Sequence, residues 1–201
     1  VAVGVQTMVA APLLSSAFPS PSVLPSPPSL PMFGGFSTFF LIWLITNDVL
    51  FTSAHALYHE IPWLYKFAHK EHHTWKAPHV WMSHAMTITE MNVNGLAVMA
   101  WPLFHSLWLG RTTPLWSVWV VQLVSQLIGC IEHSGYDWFY PLVIVDPCWF
   151  NGYVFSTTRH HDDHHKFFQG NYGGYFACWD WILGTNIEEG QSSYKNRKKK
   201  K

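Results

Sequence analysis

Charge is scarce in this chain. Only 12% of its 201 residues are Asp, Glu, Lys or Arg, whereas 49% are hydrophobic and 17% aromatic, twelve of them Trp. A soluble domain carries roughly 25% charged residues, so an ordinary water-facing exterior is excluded and a membrane is indicated. Basic and acidic residues balance at twelve each, and no basic patch interleaved with aromatics supports a nucleic-acid partner. Cysteine is equally short. Cys130, Cys148 and Cys178 are odd in number and form no CxxC, which leaves no disulfide framework and no thiolate metal site; they read as small apolar residues. The zinc-protease pattern HExxH is absent as well, because Pro62 follows His59-Glu60-Ile61. What the chain has in quantity is histidine, thirteen residues in all.

The length is that of one domain. The chain begins at Val1 rather than Met, and the weakly apolar residues 1–14 read either as the end of a hydrophobic segment or as a targeting peptide. Seven prolines between Pro12 and Pro31, among many serines, make residues 1–35 a disordered arm or the remnant of a longer N-terminus. From Phe36 to Tyr58 the sequence is long and apolar enough for a membrane span of about 20 residues. Asn47 and Asp48 interrupt it. An ionisable residue inside a span is costly and marks function, and Asp48 lies two turns before His55 on nearly the same face. Of two readings, satisfying a neighbouring helix or supporting a histidine site, the second is preferred.

Pro62 ends or kinks this helix. Met91–Leu109 and Pro114–Ile131 are two further apolar runs, joined by Gly110-Arg111-Thr112-Thr113, a link short enough to require a helical hairpin. Pro102 should kink its first arm, and His105 reads as a packed or hydrogen-bonded histidine. Trp138 to Phe155, broken by Pro141, Pro147 and Gly152, suits the membrane interface. Lys66, Lys70 and Lys76 precede the hairpin, eight basic residues follow it, and Arg111 alone sits at its tip. Because positive charge marks the cytoplasmic side, both histidine-rich regions are expected to face the cytoplasm. Residues 36–187 form the membrane domain and 188–201 a lysine-rich polar tail. Lys198 and Lys199 stand where a dilysine endoplasmic-reticulum retrieval signal would.

The histidines fall into four groups. His55 and His59 form HxxxH; His69, His72 and His73 form HxxHH; His133 stands in Glu132-His-Ser-Gly-Tyr-Asp137; His161, His164 and His165 form a second HxxHH. On a helix, His161, His164 and His165 share one face with Cβ atoms about 5–6 Å apart, which suits a shared ion. Nine imidazoles exceed what one ion takes, so two ions are expected, and imidazole alone allows Zn, Cu, Fe or Ni. Neutral ligands leave the ions' charge uncompensated, which makes Asp48, Glu132, Asp137, Asp162 and Asp163 candidates to hold the rings' outer N–H groups.

The ordered set HxxxH, HxxHH, HSGYD and HHDxHH, followed by Gly170-Asn171-Tyr172 and Trp179-Asp180-Trp181-Ile182-Leu183-Gly184-Thr185, resembles the fatty acid hydroxylase/sterol desaturase superfamily of membrane di-iron oxygenases. The resemblance runs from about Phe36 to Asn186. Within the superfamily, Thr158 to Tyr172, His133 to Asp137 and Ala77-Pro78 look closest to C4-methylsterol oxidases. Two features depart from that pattern. Such oxidases carry His-Pro-x-Glu after the second box, where this chain has Thr87-Ile88-Thr89-Glu90, with His84 as a candidate substitute. The family usually has an additional hydrophobic hairpin upstream, where this sequence has the proline-rich arm.

The resemblance implies an all-α integral membrane helical bundle with a cytoplasmic histidine-rich di-metal region in the endoplasmic-reticulum membrane. It implies two irons held by His55, His59, His69, His72, His73, His133, His161, His164 and His165, with His160 in reserve because it pairs with His164 at i+4. It further implies O2-dependent oxidation of a lipid C–H bond, a sterol being favoured, with electrons from NAD(P)H through cytochrome b5 and its reductase or a similar carrier. Another hydroxylase or desaturase of the superfamily is the alternative. A metal transporter fits less well, since transporters place ligands near the bilayer midplane and the boxes lie at span ends. A bis-histidine haem carrier does not need clustered triads.

Overall fold

The computed structural model of the chain describes residues 30–136 and 154–187, and of residues 30–34 the backbone alone. The proline-rich stretch before Leu30, Asp137, most of the Trp138 to Phe155 stretch and the lysine tail therefore lie outside the described residues. Among the described residues the chain is helical and forms no strand.

Helix α1 spans Leu30–Glu60, so it begins inside the arm expected to end at residue 35. Pro31 falls in its first turn, where the missing N–H costs nothing and the fixed φ favours entry. One stripe of α1 faces inward and carries Phe39, Trp43, Asn47, Asp48, Thr52 and His55, all buried. The other faces expose large apolar side chains, among them Leu41, Ile45 and Leu57. The stripe thus turns from apolar to polar along the helix, reaching its histidines in the last turns.

Helix α2 spans Ile88–Leu103 and α3 spans Leu115–Glu132, the two arms of the expected hairpin. Thr87 caps α2 by accepting from the Glu90 N–H, and its hydroxyl donates to the Ala68 carbonyl at 2.6 Å, which ties the helix to the preceding histidine segment. Pro102 lies inside α2, and the chain then widens into a π-helical turn at Phe104–Trp108. His105 shares a hydrogen bond with Thr113 at 2.7 Å across the hairpin tip and packs against Phe39 and Trp101, the structural role expected of it. Gly110 turns the link with φ 59°, a conformation open to glycine at little cost. Buried Phe39, Trp43, Val98 and Val121 form the shared core of α1, α2 and α3, and Trp43 donates to the Val98 carbonyl at 3.0 Å.

Gly35–Glu60 and Leu115–Glu132 are long and apolar enough to cross a membrane. Their outward faces are greasy: Leu50, Trp119, Leu123 and Leu127 are exposed, as is Leu96 on α2. An apolar exterior of this extent is stable against lipid rather than water, and the chain is a membrane protein. Helices α4 (Thr158–Phe167) and α5 (Cys178–Leu183), with the loop between them, close over one end of the α1–α3 bundle. All thirteen histidines except His105 belong to that end or to the segment joining α1 to α2.

Candidate metal centre

The two HxxHH motifs are built on different backbones. His161, His164 and His165 ride on α4, a regular helix capped by Thr157, whose side chain accepts from the His160 N–H. His69, His72 and His73 ride on a π-helical turn, Tyr65–His69, followed by a tight 3-10 turn, His72–Thr74. Together with α1 and the end of α3 they bring all nine sequence-selected imidazoles together, in two sets. His55, His59, His69, His73 and His164 form one; His72, His133, His161 and His165 form the other. Neither triad stays whole. The helical face that suggested a single shared ion splits, with His164 going to the first set and its neighbours to the second, because His161 meets His133 while His164 meets His73. The sets abut, with the rings of His73 and His165 4.6 Å apart.

Hydrogen bonds on the outer nitrogens fix the tautomers of five rings. The Nδ1–H groups of His55, His133, His164 and His165 donate to the carbonyls of Tyr172 (2.9 Å), Gly129 (2.8 Å), Gly170 (2.8 Å) and Trp75 (3.2 Å). His69 Nδ1–H donates to Glu90 Oε1 at 2.7 Å. The Nε2 atoms of these five are left as bare lone pairs facing the other imidazoles. His73 Nε2 lies 2.9 Å from His69, 3.1 Å from His59 and 3.1 Å from His164. In the second set the steps His72–His133, His133–His161 and His161–His165 are 3.3, 3.1 and 3.1 Å. His55 Nε2 is buried with no hydrogen-bond partner.

Lone pairs at these distances repel one another unless a cation lies between them. Nitrogens bound to one ion at about 2.1 Å stand roughly 3.0–3.4 Å apart between neighbouring ligands, which the observed spacings match. Protonation offers no relief. Burial, and then the neighbouring imidazoles, hold His72, His161 and His164 well below the ordinary histidine range and His165 at about 3. Burial carries His133 down to about 4 despite its bond to Gly129. These five rings are held neutral, and the two sets fit a metal of the imidazole-preferring kind.

The carboxylates differ from expectation. Asp48 touches no histidine: it accepts from the backbone N–H of Tyr175 (2.6 Å) and Phe176 (3.2 Å) and from Trp179 Nε1 (2.7 Å). It satisfies a neighbouring segment, the less favoured of its two readings. Asp162 and Asp163 lie half-buried on α4, Asp163 on the face opposite His161, His164 and His165, while backbone carbonyls take ring N–H groups assigned to the carboxylates. Glu132 lines a cavity beside His133. His160, the reserve ligand, turns away from both sets and binds Asp180 Oδ2 at 3.0 Å.

Glu90 and Asp180 are the two functional carboxylates that sequence reasoning misses. Glu90 does for His69 what Asp48 was expected to do for His55, and it stands at the last position of the segment that departs from the His-Pro-x-Glu pattern. The Thr87-x-x-Glu90 capping pattern is the signal that points to it. Asp180 is fully buried and accepts from the N–H groups of Tyr172 and Gly173, both at 2.7 Å, from the Thr185 hydroxyl at 2.5 Å and from His160. Burial pushes its carboxyl up, but the His160 hydrogen bond and charge and the remaining donors outweigh burial and leave it below the usual range. Asp180 and Asp48 thus clamp the loop whose carbonyls at 170 and 172 orient His164 and His55. Gly173 and Gly174 let them approach: a Cβ on Gly173 would lie 2.8 Å from Asp180 Oδ2, and one on Gly174 2.9 Å from Asp48 Oδ1.

A cavity of about 140 Å³ runs between α1, α2 and α3 and ends on the imidazoles of both sets, touching His55, His69, His72, His133 and His161. Phe51, Met86, Met91 and Val98 give it an apolar wall.

Among known proteins, residues 40–185 match the fatty acid hydroxylase family. The chain is 30% identical over 167 residues to cholesterol 25-hydroxylase of Rattus norvegicus, covering 83% of this chain and 52% of the relative. It is 32% identical over 148 residues to a methylsterol monooxygenase of Aspergillus fumigatus (72% and 46% covered) and, over the same length, 32% identical to lathosterol oxidase of Mus musculus (71% and 43%). The chain spans about half the length of these curated relatives. No solved structure matches it.

Proposed function

We propose for this chain, which belongs to the fatty acid hydroxylase family, the oxidation of a lipid C–H bond with O2 at a pair of irons, the substrate being a C4-methylsterol. The observation that carries this reading is the pair of abutting all-histidine sets at the end of a cavity set between membrane helices. His55, His59, His69, His73 and His164 would hold one iron, and His72, His133, His161 and His165 the other. Two irons so bound supply O2 activation and C–H oxidation, chemistry that no side chain of this chain offers.

The protein's own part is positional. Carbonyls at residues 75, 129, 170 and 172 hold the imidazole rings so that their Nε2 atoms face inward. Glu90 draws on the His69 N–H and makes that ring a stronger donor. The apolar wall of Phe51, Met86 and Met91 admits the lipid body and excludes water from the reacting end. The residues around Gly170-Asn171-Tyr172 and a methylsterol monooxygenase among the relatives support the C4-methyl assignment. We assign the histidine end to the cytoplasmic face of the endoplasmic-reticulum membrane, where NAD(P)H-derived electrons arrive through cytochrome b5 or a similar carrier.

The test is an assay of the purified, iron-loaded protein in lipid nanodiscs with NADPH, cytochrome b5 and its reductase. Product oxidised at the C4 methyl of a 4-methylsterol is expected. Oxidation of cholesterol at its side chain alone would move the chain to another branch of the family, and no lipid oxidation by iron-loaded protein would remove the oxygenase reading.

A further inference from the structure

Most polar side chains on the cavity wall are spoken for. Asn47 donates to the Tyr175 hydroxyl at 2.7 Å, Ser125 bonds the same hydroxyl, and Gln126 pairs with His84. Two have no hydrogen-bonding partner among the described residues: Glu132, the last residue of α3, and Gln122, nearly three turns earlier on the wall of the same cavity. Glu132 stands next to His133 at the histidine end. Gln122 lies eleven residues from His133, roughly 16 Å away along the helix axis.

A carboxyl group at the end of a membrane helix, facing a mainly apolar cavity, is costly to leave without a hydrogen-bond partner. Its carbonyl oxygen accepts a hydrogen bond from a lipid O–H. We propose that Glu132 is a substrate-binding residue that accepts a hydrogen bond from a hydroxyl group of the lipid, and that this hydroxyl lies on or beside the carbon being oxidised. The ligand class is a lipid alcohol that enters hydroxyl-end first, with its apolar body against Phe51 and Met91. A plain acyl chain offers Glu132 no donor. A lipid oxidised far from its hydroxyl would bring that group to Gln122 instead. The inference rests on the reading that the cavity takes a lipid substrate, and it adds which part of the lipid meets the histidines.

Binding can be read without turnover. Full-length protein in nanodiscs is titrated with a radiolabelled 4-methylsterol and with its 3-deoxy analogue, and bound metal is counted in the same samples. Wild type is expected to bind the alcohol about tenfold to hundredfold more tightly than the deoxy lipid. Glu132→Met should abolish that preference, Glu132→Gln should retain part of it, and both should keep wild-type metal content. Gln122→Leu should shift both lipids alike. Equal binding of the two lipids by wild type overturns the proposal. So does loss of metal in Glu132→Gln, which would make the residue part of the histidine centre, and so does loss of the preference in Gln122→Leu alone, which would put the hydroxyl at the remote end. Wild type that prefers the alcohol yet oxidises nothing removes the oxygenase reading and leaves this one standing.

Discussion

The two HxxHH motifs have the same spelling and opposite fates. On α4 the outer pair, His161 and His165, goes to the four-histidine set and the middle His164 to the five-histidine set. On the segment before α2 the outer pair, His69 and His73, goes to the five-histidine set and His72 to the other. A regular helix and a π-helical turn followed by a 3-10 turn therefore deliver complementary shares. Two triads laid across each other in this way lock the sets together, since neither can be assembled without residues of both segments. Identical spacing in sequence does not mean identical partners in space.

The complementary split can be broken one residue at a time. His164→Ala and His165→Ala, neighbours on one helix, should empty different sets. Each is expected to cut lipid oxidation by well over the roughly hundredfold typical of losing an outer-shell partner, and X-ray absorption should show different residual nitrogen shells in the two variants. Identical residual spectra would contradict the split. Glu90→Gln acts only through His69 and should weaken metal binding in the five-histidine set by about tenfold to hundredfold, leaving the other set loaded in a chelator titration.

Gly174→Ala should be milder. Its Cβ would lie 2.9 Å from both Asp48 Oδ1 and Phe51 Cδ1, an overpacking worth about 1–3 kcal/mol, read as a lower melting temperature. Because the displaced loop orients His55 and His164 alone, metal loss should begin in the five-histidine set. Asp163→Asn, on the outer face of α4, should change stability by no more than about 0.5 kcal/mol and leave the metal content intact.

Much of this is legible in the sequence, and the reasons are physical. Histidine spacing and box order pick out the nine imidazoles because ligand geometry constrains them directly, and apolar run length finds the hairpin. The arm's boundary is misplaced because seven prolines suggest disorder up to residue 35, although Pro31 is compatible with a helix's first turn. Which set each histidine joins is not legible, since that depends on the π-helical turn at Tyr65–His69, which no local pattern announces. The carboxylates are misassigned for a related reason. Proximity in sequence favours Asp162 and Asp163, whereas the rings take their acceptors from backbone carbonyls, near for His133 and His164 and distant for His55 and His165, and from Glu90, twenty-one residues from His69. Asp48 stands out as a costly charge in a span, but its partners, 127 to 131 residues away, cannot be read locally.

The central claim is that the nine histidines form two metal sites of unequal size. It is tested most directly by counting metal in the purified full-length protein reconstituted with ferrous iron, alongside His164→Ala and His161→Ala. The account predicts about two irons per wild-type chain and about one in each variant. One iron per wild-type chain, or two irons retained in either variant, would contradict it.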